Sequence, residues 1–255
     1  MPEGPEIKLL SEYINKNILD ANITNIVSLS KNKVIFPKKS KIISVGSKGK
    51  LIWLKTKSYV IHILLRISGW IYNQSHKYTK YILVFDNGEK IYVDDARKLC
   101  IVRVLSYDEH NDAMNELGID VFSDNFTSDI FYKTLLDYNI NICAFLMNQY
   151  IFCGIGNYIK NESLYLSKIN PKRKTSSLTE SESIKLYNNI KFVYFSNLVE
   201  QLNDYKLSIN KTMPKKLEVP YKFKVYGQKK DPNGYLVNVE TIAGRNTYFV
   251  NEIQI

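Results

Sequence analysis

Pro2, Glu3 and Glu6, inside the opening MPEGPE, are the residues whose types and spacing could carry a reaction. If an aminopeptidase removes Met1, which a small second residue permits, the chain begins with the secondary amine of Pro2. An α-amino group ordinarily titrates at roughly 7.7–8.0, so a useful fraction is uncharged near neutrality, whereas a lysine at about 10.4 is almost wholly protonated. A secondary amine that adds to an aldehyde-type carbon and loses water becomes a charged iminium, an electron sink that promotes elimination at the neighbouring carbon. Glu3 is the nearest proton donor, and Glu6 lies one turn further on. An ordinary amphipathic helix behind a frayed leader would contain the same residues, because Pro and Glu are common at helix starts.

The same stretch supplies the element that would position these groups. Pro5 suits a first helical turn, and Ile7, Leu10, Ile14 and Ile18 recur at helical spacing with Lys8, Glu12 and Lys16 on the other face. A helix here holds the amine and the carboxylates at its positive end, which favours a neutral amine and an ionised Glu3. From Ile23 to Val104 the pattern is strand-like, with short β-branched or aromatic runs at Ile42–Val45, Leu51–Lys55, Tyr59–Leu65, Tyr81–Phe85 and Ile91–Val93. This predicts an antiparallel β-sandwich carrying the N-terminal helix. In Ser47-Lys48-Gly49-Lys50 a glycine allows close approach and Lys50 fits a backbone phosphate or a catalytic ammonium, though a plain hairpin turn reads the same way. Leu65-Arg66-Ile67-Ser68-Gly69 and Asp95-Ala96-Arg97-Lys98-Leu99 are two turns mixing apolar and guanidinium groups. Such wedges can open a base stack and fill the gap; two loops packed on each other are the alternative.

After residue 123 the periodicity becomes helical, at Asp129–Leu136, Ile142–Tyr150, Tyr158–Leu166 and Glu180–Leu202. Between the second and third helices, Gly154, Gly156 and Asn157 form a glycine-rich entry to a helix N-terminus, a site for one phosphate or simply a tight turn. Asn203–Val219 reads as a polar, Lys-rich connection, and strands return at Lys222–Tyr226, Tyr235–Thr241 and Thr247–Val250. A basic hairpin with Arg245 at its tip could enter a groove or merely decorate the surface.

A 255-residue chain is long enough for one large or two modest domains with real cores, and its formal charge of +10 points to an anionic partner or to charge kept for solubility. No apolar run reaches the roughly 18 residues of a membrane span. Cys100, Cys143 and Cys153 are odd in number and unpaired in spacing, so neither a disulfide framework nor a cysteine zinc site is expected, and an intracellular, soluble protein is. His62, His76 and His110 are scattered and read as structural.

Taken in order, PEGPE, the SKGK turn, LRISG, DDARKL, ELGIDVF, the ICAFLMNQYIFCGIGNYIKNESLYLSKINPKRKTSSL block and VYGQKKDPNG with AGRNTYF resemble the formamidopyrimidine-DNA glycosylase and endonuclease VIII (Fpg/Nei) family over nearly the whole chain. PEGPE is closest to the endonuclease VIII side. The resemblance implies an α+β fold: a catalytic N-terminal β-sandwich domain over 1–123, a helix-two-turn-helix domain over 124–215 and a finger hairpin over 216–255. It implies excision of oxidised bases, pyrimidines and hydantoins above all, followed by β,δ-elimination at the abasic sugar. An 8-oxoguanine or formamidopyrimidine preference and a non-catalytic binder of damaged DNA are the alternatives. Carried over, Pro2 attacks C1′, Glu3 is the general acid at the sugar ring oxygen, Glu6 supports it and Lys50 contacts phosphate. Asn157, in the Gly154–Gly156 turn, and Arg245 grip the DNA, while Ile67, Arg97 and Leu99 fill the void. Ile67 stands where Met or Leu is usual and Leu99 where Phe is usual. The expected partner is double-stranded DNA with oxidised bases or abasic sites, with single-stranded DNA left open, and the expected state is a monomer without cofactor.

Many relatives hold the final hairpin with four cysteines on zinc, whereas Lys222–Ile255 contains none, which resembles the zincless finger of human and viral Nei-like enzymes. Purified protein is therefore expected to retain well under one equivalent of zinc after dialysis, as read by elemental analysis; a full equivalent would contradict the zincless reading.

Overall fold

Helix α1 (Gly4–Ile18) starts where it does because Glu3 and Glu6 cap it reciprocally: the Glu3 side chain accepts from the third helical N–H, and the Glu3 N–H donates to Glu6 Oε2 at 2.7 Å. Pro5 occupies the first turn, where its missing N–H costs nothing. Ile7, Leu10, Ile14 and Ile18 form the buried stripe that the spacing predicts. The computed structural model describes residues 2–29, 33–208 and 221–255.

The chain divides into two compact units, with the break between Glu116 and Leu117. The first contains α1 and eight strands: β1 (Asn22–Ser28), β2 (Ser40–Lys48), β3 (Leu51–Thr56), β4 (Val60–Leu64), β5 (Gly69–Tyr72), β6 (Thr79–Phe85), β7 (Lys90–Asp95) and β8 (Ile101–Leu105). They form one antiparallel sheet in the order β5-β7-β6-β1-β2-β3-β4-β8. Its two four-stranded halves join through the short β1–β2 pairing at Asn22↔Lys41 and Ile23↔Ser40. Inward residues of both halves, such as Ile26, Leu83 and Val93 on one and Ile52, Leu54 and Ile63 on the other, share a single apolar cluster with α1. This is the expected sandwich arrangement, and α1 lies against β2 and β3.

The second unit holds α3 (Ser128–Leu136), α4 (Ile142–Met147), α5 (Asn157–Ser167) and, as far as Glu200, α6 (Glu180–Ser208), packed around Phe126, Phe131, Phe145 and Phe152. It closes with the hairpin β11 (Asn238–Ile242) and β12 (Arg245–Phe249). Ala243 and Gly244, at φ 50° and 73°, form its two-residue turn, a left-handed pair that matches strand twist.

Several elements differ from the sequence expectation. The helix expected over Ile142–Tyr150 ends at Met147, because Asn148 turns to extended backbone. Lys222–Tyr226 is not a strand: its N–H groups bond to a side chain rather than to a neighbouring strand. The strand expected from Tyr235 begins only at Asn238. Of the expected connection Asn203–Val219, helix α6 continues to Ser208 and residues 209–219 lie outside the described residues. Helix α2 (Tyr107–Glu116) and the two-residue strands β9 (Ile119–Asp120) and β10 (Phe152–Cys153), which pair in parallel, carried no periodic apolar signal.

His62 and His110 are structural, as read, but they act together. His62 on β4 and His110 on α2 are both buried, with His62 Nε2 and His110 Nδ1 2.8 Å apart. Burial, with the charges of His110 and Arg103 added, pushes His62 down to about 4, and burial near Lys55 lowers His110 as well. Because the folded value lies below the unfolded one of about 6.5, the unfolded chain binds more protons between these limits. Stability is therefore complete above pH 6.5 and falls as pH drops toward 4, by about 2 kcal/mol at pH 5 from His62 alone. Urea unfolding should show a lower midpoint at pH 5 than at pH 7, and His62→Gln, which does not titrate, should flatten that difference.

Candidate catalytic N-terminus and nucleic-acid interface

In the first unit, Pro2, Glu3 and Glu6 are all buried, with Glu3 at 0% exposure. The reciprocal cap fixes the residue directly after Pro2, so the peptide that carries the candidate nucleophile has no freedom to swing. Both carboxylates sit at the positive end of α1, where ionised groups are favoured. The Ser11 hydroxyl of α1 donates to that of Ser47 at 3.2 Å, which ties the helix to the first residue of the SKGK turn. Within that turn the two lysines divide: Lys48 Nζ donates to the Met114 carbonyl at 2.8 Å, while Lys50 is half-buried just ahead of β3.

The two mixed turns adjoin the paired strands β5 and β7. Arg97 and Leu99 are exposed and Ile67 is half-buried, while the Ser68 hydroxyl donates to Asp95, so the two turns touch and still leave apolar and guanidinium groups at the surface. Leu99 at 43% exposure is an apolar group held open to solvent on a defined turn.

In the second unit, Asn157 opens α5, with Gly156 as its cap residue. The Asn157 amide donates to the Asn246 carbonyl at 2.9 Å, which brings it within one residue of Arg245 at the exposed hairpin tip. Its Nδ2 keeps a second hydrogen, and its buried Oδ1 has no hydrogen-bond partner. Gly154 behaves differently from the expectation of free N–H groups, since its N–H donates to Gln149 Oε1 at 3.1 Å. The Gln149 amide also donates to the Met147 and Ile155 carbonyls, so this side chain holds the turn closed.

Sequence reasoning missed the rest of the α5 face. Lys160 Nζ, fully buried, donates to the Thr247 hydroxyl at 2.8 Å, and Asn161 Oδ1 accepts the Tyr248 N–H at 3.1 Å. The Glu162 carboxylate accepts the N–H groups of Lys224, Val225 and Tyr226 at 2.7–2.9 Å and the Tyr221 hydroxyl at 3.1 Å. The signal was present as a polar run, KNES, inside an apolar helix, with Asn157, Lys160 and Asn161 at i, i+3 and i+4.

Among the described residues of the finger no side-chain cluster fits a zinc ion. Cys143 and Cys153 are buried elsewhere in the unit, facing the Pro171 and Gly118 carbonyls. Among the described residues no three His, Cys, Asp or Glu side chains converge. Nor, among them, is any helix long and apolar enough to cross a membrane.

Residues 1–102 match the family model described as the formamidopyrimidine-DNA glycosylase N-terminal domain, and residues 117–201 match its H2TH domain. A formamidopyrimidine-DNA glycosylase of Wolbachia sp. subsp. Brugia malayi is 30% identical over the whole of both chains. One of Arabidopsis thaliana is 27% identical over all of this chain and 71% of its own. The fold is that of Lactococcus lactis Fpg in complex with abasic-site DNA, at TM-score 0.84 and 20% identity over 99% of both chains. It is equally that of Thermus thermophilus MutM, at TM-score 0.83 and 20% identity over 99% of this chain and 98% of the other. The capped N-terminal PEGPE, the glycine turn opening α5 and the full-length match together make this chain a member of the formamidopyrimidine-DNA glycosylase family, the DNA glycosylases with abasic-site lyase activity that serve base excision repair.

Proposed function

We propose that this chain excises oxidised bases from DNA through a Schiff base on Pro2 and then cuts the strand by β,δ-elimination. The observation that carries the reading is the Glu3–Glu6 cap, which buries two carboxylates directly after Pro2 and bonds that of Glu6 to the Glu3 N–H. Once Met1 is removed, the Pro2 nitrogen lone pair attacks C1′ and the N-glycosidic bond breaks, so that the base leaves and takes up a proton. Glu3 takes up the proton that the Pro2 nitrogen sheds on attack and donates it to the sugar ring oxygen, the ring opens, and the positive charge rests on the iminium. Loss of a C2′ proton expels the 3′ phosphate, a second elimination expels the 5′ phosphate, and water releases the amine. Glu6 supports Glu3 by fixing its backbone, and Lys50 contacts a phosphate.

DNA is the partner that a +10 chain with Asn157 beside Arg245 suits. Asn157, from the Gly154–Gly156 turn, and Arg245 hold the phosphate backbone. A base inside a duplex must be extruded before chemistry, and Ile67, Arg97 and Leu99 fill the space it leaves. In this reading residues 1–123 do the chemistry, while 124–215 and the zincless finger 216–255 hold the DNA.

Oxidised pyrimidines and hydantoins are the proposed lesions, on the strength of PEGPE and the cysteine-free finger of the Nei-like branch. A second reading, preference for formamidopyrimidine or 8-oxoguanine, is favoured by the name the relatives share. Solved complexes of the Lactococcus lactis protein contain Fapy-dG DNA in one case and oxidised-pyrimidine DNA in another.

Borohydride should trap a covalent adduct with abasic DNA, and a protein whose N-terminus is blocked or left uncleaved should lose it entirely. An adduct mapped by mass spectrometry to a lysine would remove Pro2 from the mechanism. Measured side by side, kcat/KM for thymine glycol, hydroxyuracil and hydantoins should exceed that for 8-oxoguanine by at least tenfold; the reverse order selects the second reading.

A further inference from the structure

Asp95 ends β7 at 1% exposure, where the register pairs it with Gly69 of β5. Its Oδ1 accepts the Ser68 hydroxyl and the Arg97 N–H, the latter at 3.0 Å, and its Oδ2 accepts the N–H groups of Leu99 and of Cys100, the latter at 2.6 Å. One carboxylate thus closes the 95–100 turn on itself and ties it to the 66–68 tip. Both turns need such a restraint, because Arg66 and Lys98 hold left-handed backbone at φ 56° and 60° without being glycine. The tip is narrow as well: the Gly69 N–H donates to the Leu65 carbonyl at 2.9 Å, and a Cβ on Gly69 would lie 2.3 Å from that oxygen.

We propose that Asp95 is the positioning residue that holds the two inserting turns in one register, so that Ile67, Arg97 and Leu99 enter the duplex as a preassembled wedge rather than as two independent loops. This rests on the assignment of those three side chains to the void. The site demands a carboxylate, because four donors converge on two oxygens that offer only lone pairs. An asparagine would turn its NH2 group toward two of those donors. Burial alone would raise the Asp95 titration, but the bonds from Ser68 and from the Cys100, Arg97 and Leu99 N–H groups outweigh it and hold the group below the ordinary carboxylate value.

The test compares excision of an oxidised base from duplex with nicking of a single-stranded abasic oligonucleotide, which needs neither extrusion nor filling. For Asp95→Asn the ratio of duplex excision to single-strand nicking should fall at least tenfold. A 2-aminopurine placed beside the lesion should report slower unstacking. Ser68→Ala, which removes only the bond between the turns and leaves the 95–100 turn closed, should lower the ratio about threefold and guards against misfolding of the first variant. The triple change Ile67→Ala, Arg97→Ala, Leu99→Ala should lower it at least as far as Asp95→Asn. If the triple change lowers the ratio and the Asp95 and Ser68 variants do not, the turns insert independently and the proposal fails. If Asp95→Asn lowers both activities equally, the role is merely structural and it also fails. If the triple change has no effect, the void assignment fails and the proposal with it.

Discussion

The reciprocal hydrogen bonds between Glu3 and Glu6 are the constraint on which the start of the first unit depends. A chain terminus is normally the least ordered part of a protein. Here the second and third residues are buried, since the cap starts a helix whose apolar stripe is built into the sheet core. The order of the terminus is therefore borrowed from the packing of Ile7, Leu10, Ile14 and Ile18 rather than from local contacts alone. Capping and the proposed chemistry ask for the same residue types at the same spacing, so the cap leaves the proposed roles of Pro2, Glu3 and Glu6 within one hexapeptide.

Helix α5 plays the corresponding part in the second unit. A long segment with little secondary structure, residues 221–237, satisfies only some of its backbone donors within itself, and buried polar groups left unpaired are costly. Glu162 meets three of those donors in succession, and Tyr165 donates to Asp231, which in turn accepts the Asn233 and Tyr235 N–H groups. Hydrogen bonds to charged groups contribute about 1.5–3 kcal/mol each, so a few of them suffice to order a finger of this size. The same face carries Asn157 and Lys160 to the hairpin at Asn246 and Thr247. The exposed Arg245 is consequently followed on β12 by two residues that α5 holds in place.

Much of this was legible in the sequence. Amphipathic α1, the strand runs and the long helices follow from apolar periodicity, and the ordered motifs identify the family. What escaped was whatever depends on partners distant in sequence. His62 met His110 across 48 positions, which no periodicity announces. Nothing in the sequence singles out Glu162, whose acceptors face residues 221–226 some sixty positions on. Lys222–Tyr226 had the aromatic alternation of a strand but found a side-chain carboxylate in place of a neighbouring ladder. Asp95 was visible only as the start of a turn, and its four donors emerge once β5 and β7 are paired.

The choice of carboxylate and ammonium to organise the finger has a chemical corollary. Thiolates that bind a metal are also the groups most readily converted to sulfenic acid or disulfide, with loss of the ion and of the fold it supports. Residues 222–255 offer peroxide no sulfur at all. The three thiols present are buried in the two cores, and burial pushes Cys100 up to about 12 and Cys143 up to about 11, far from the reactive anion. A family of DNA-repair glycosylases here has a member whose terminal hairpin carries no sulfur for an oxidant to attack.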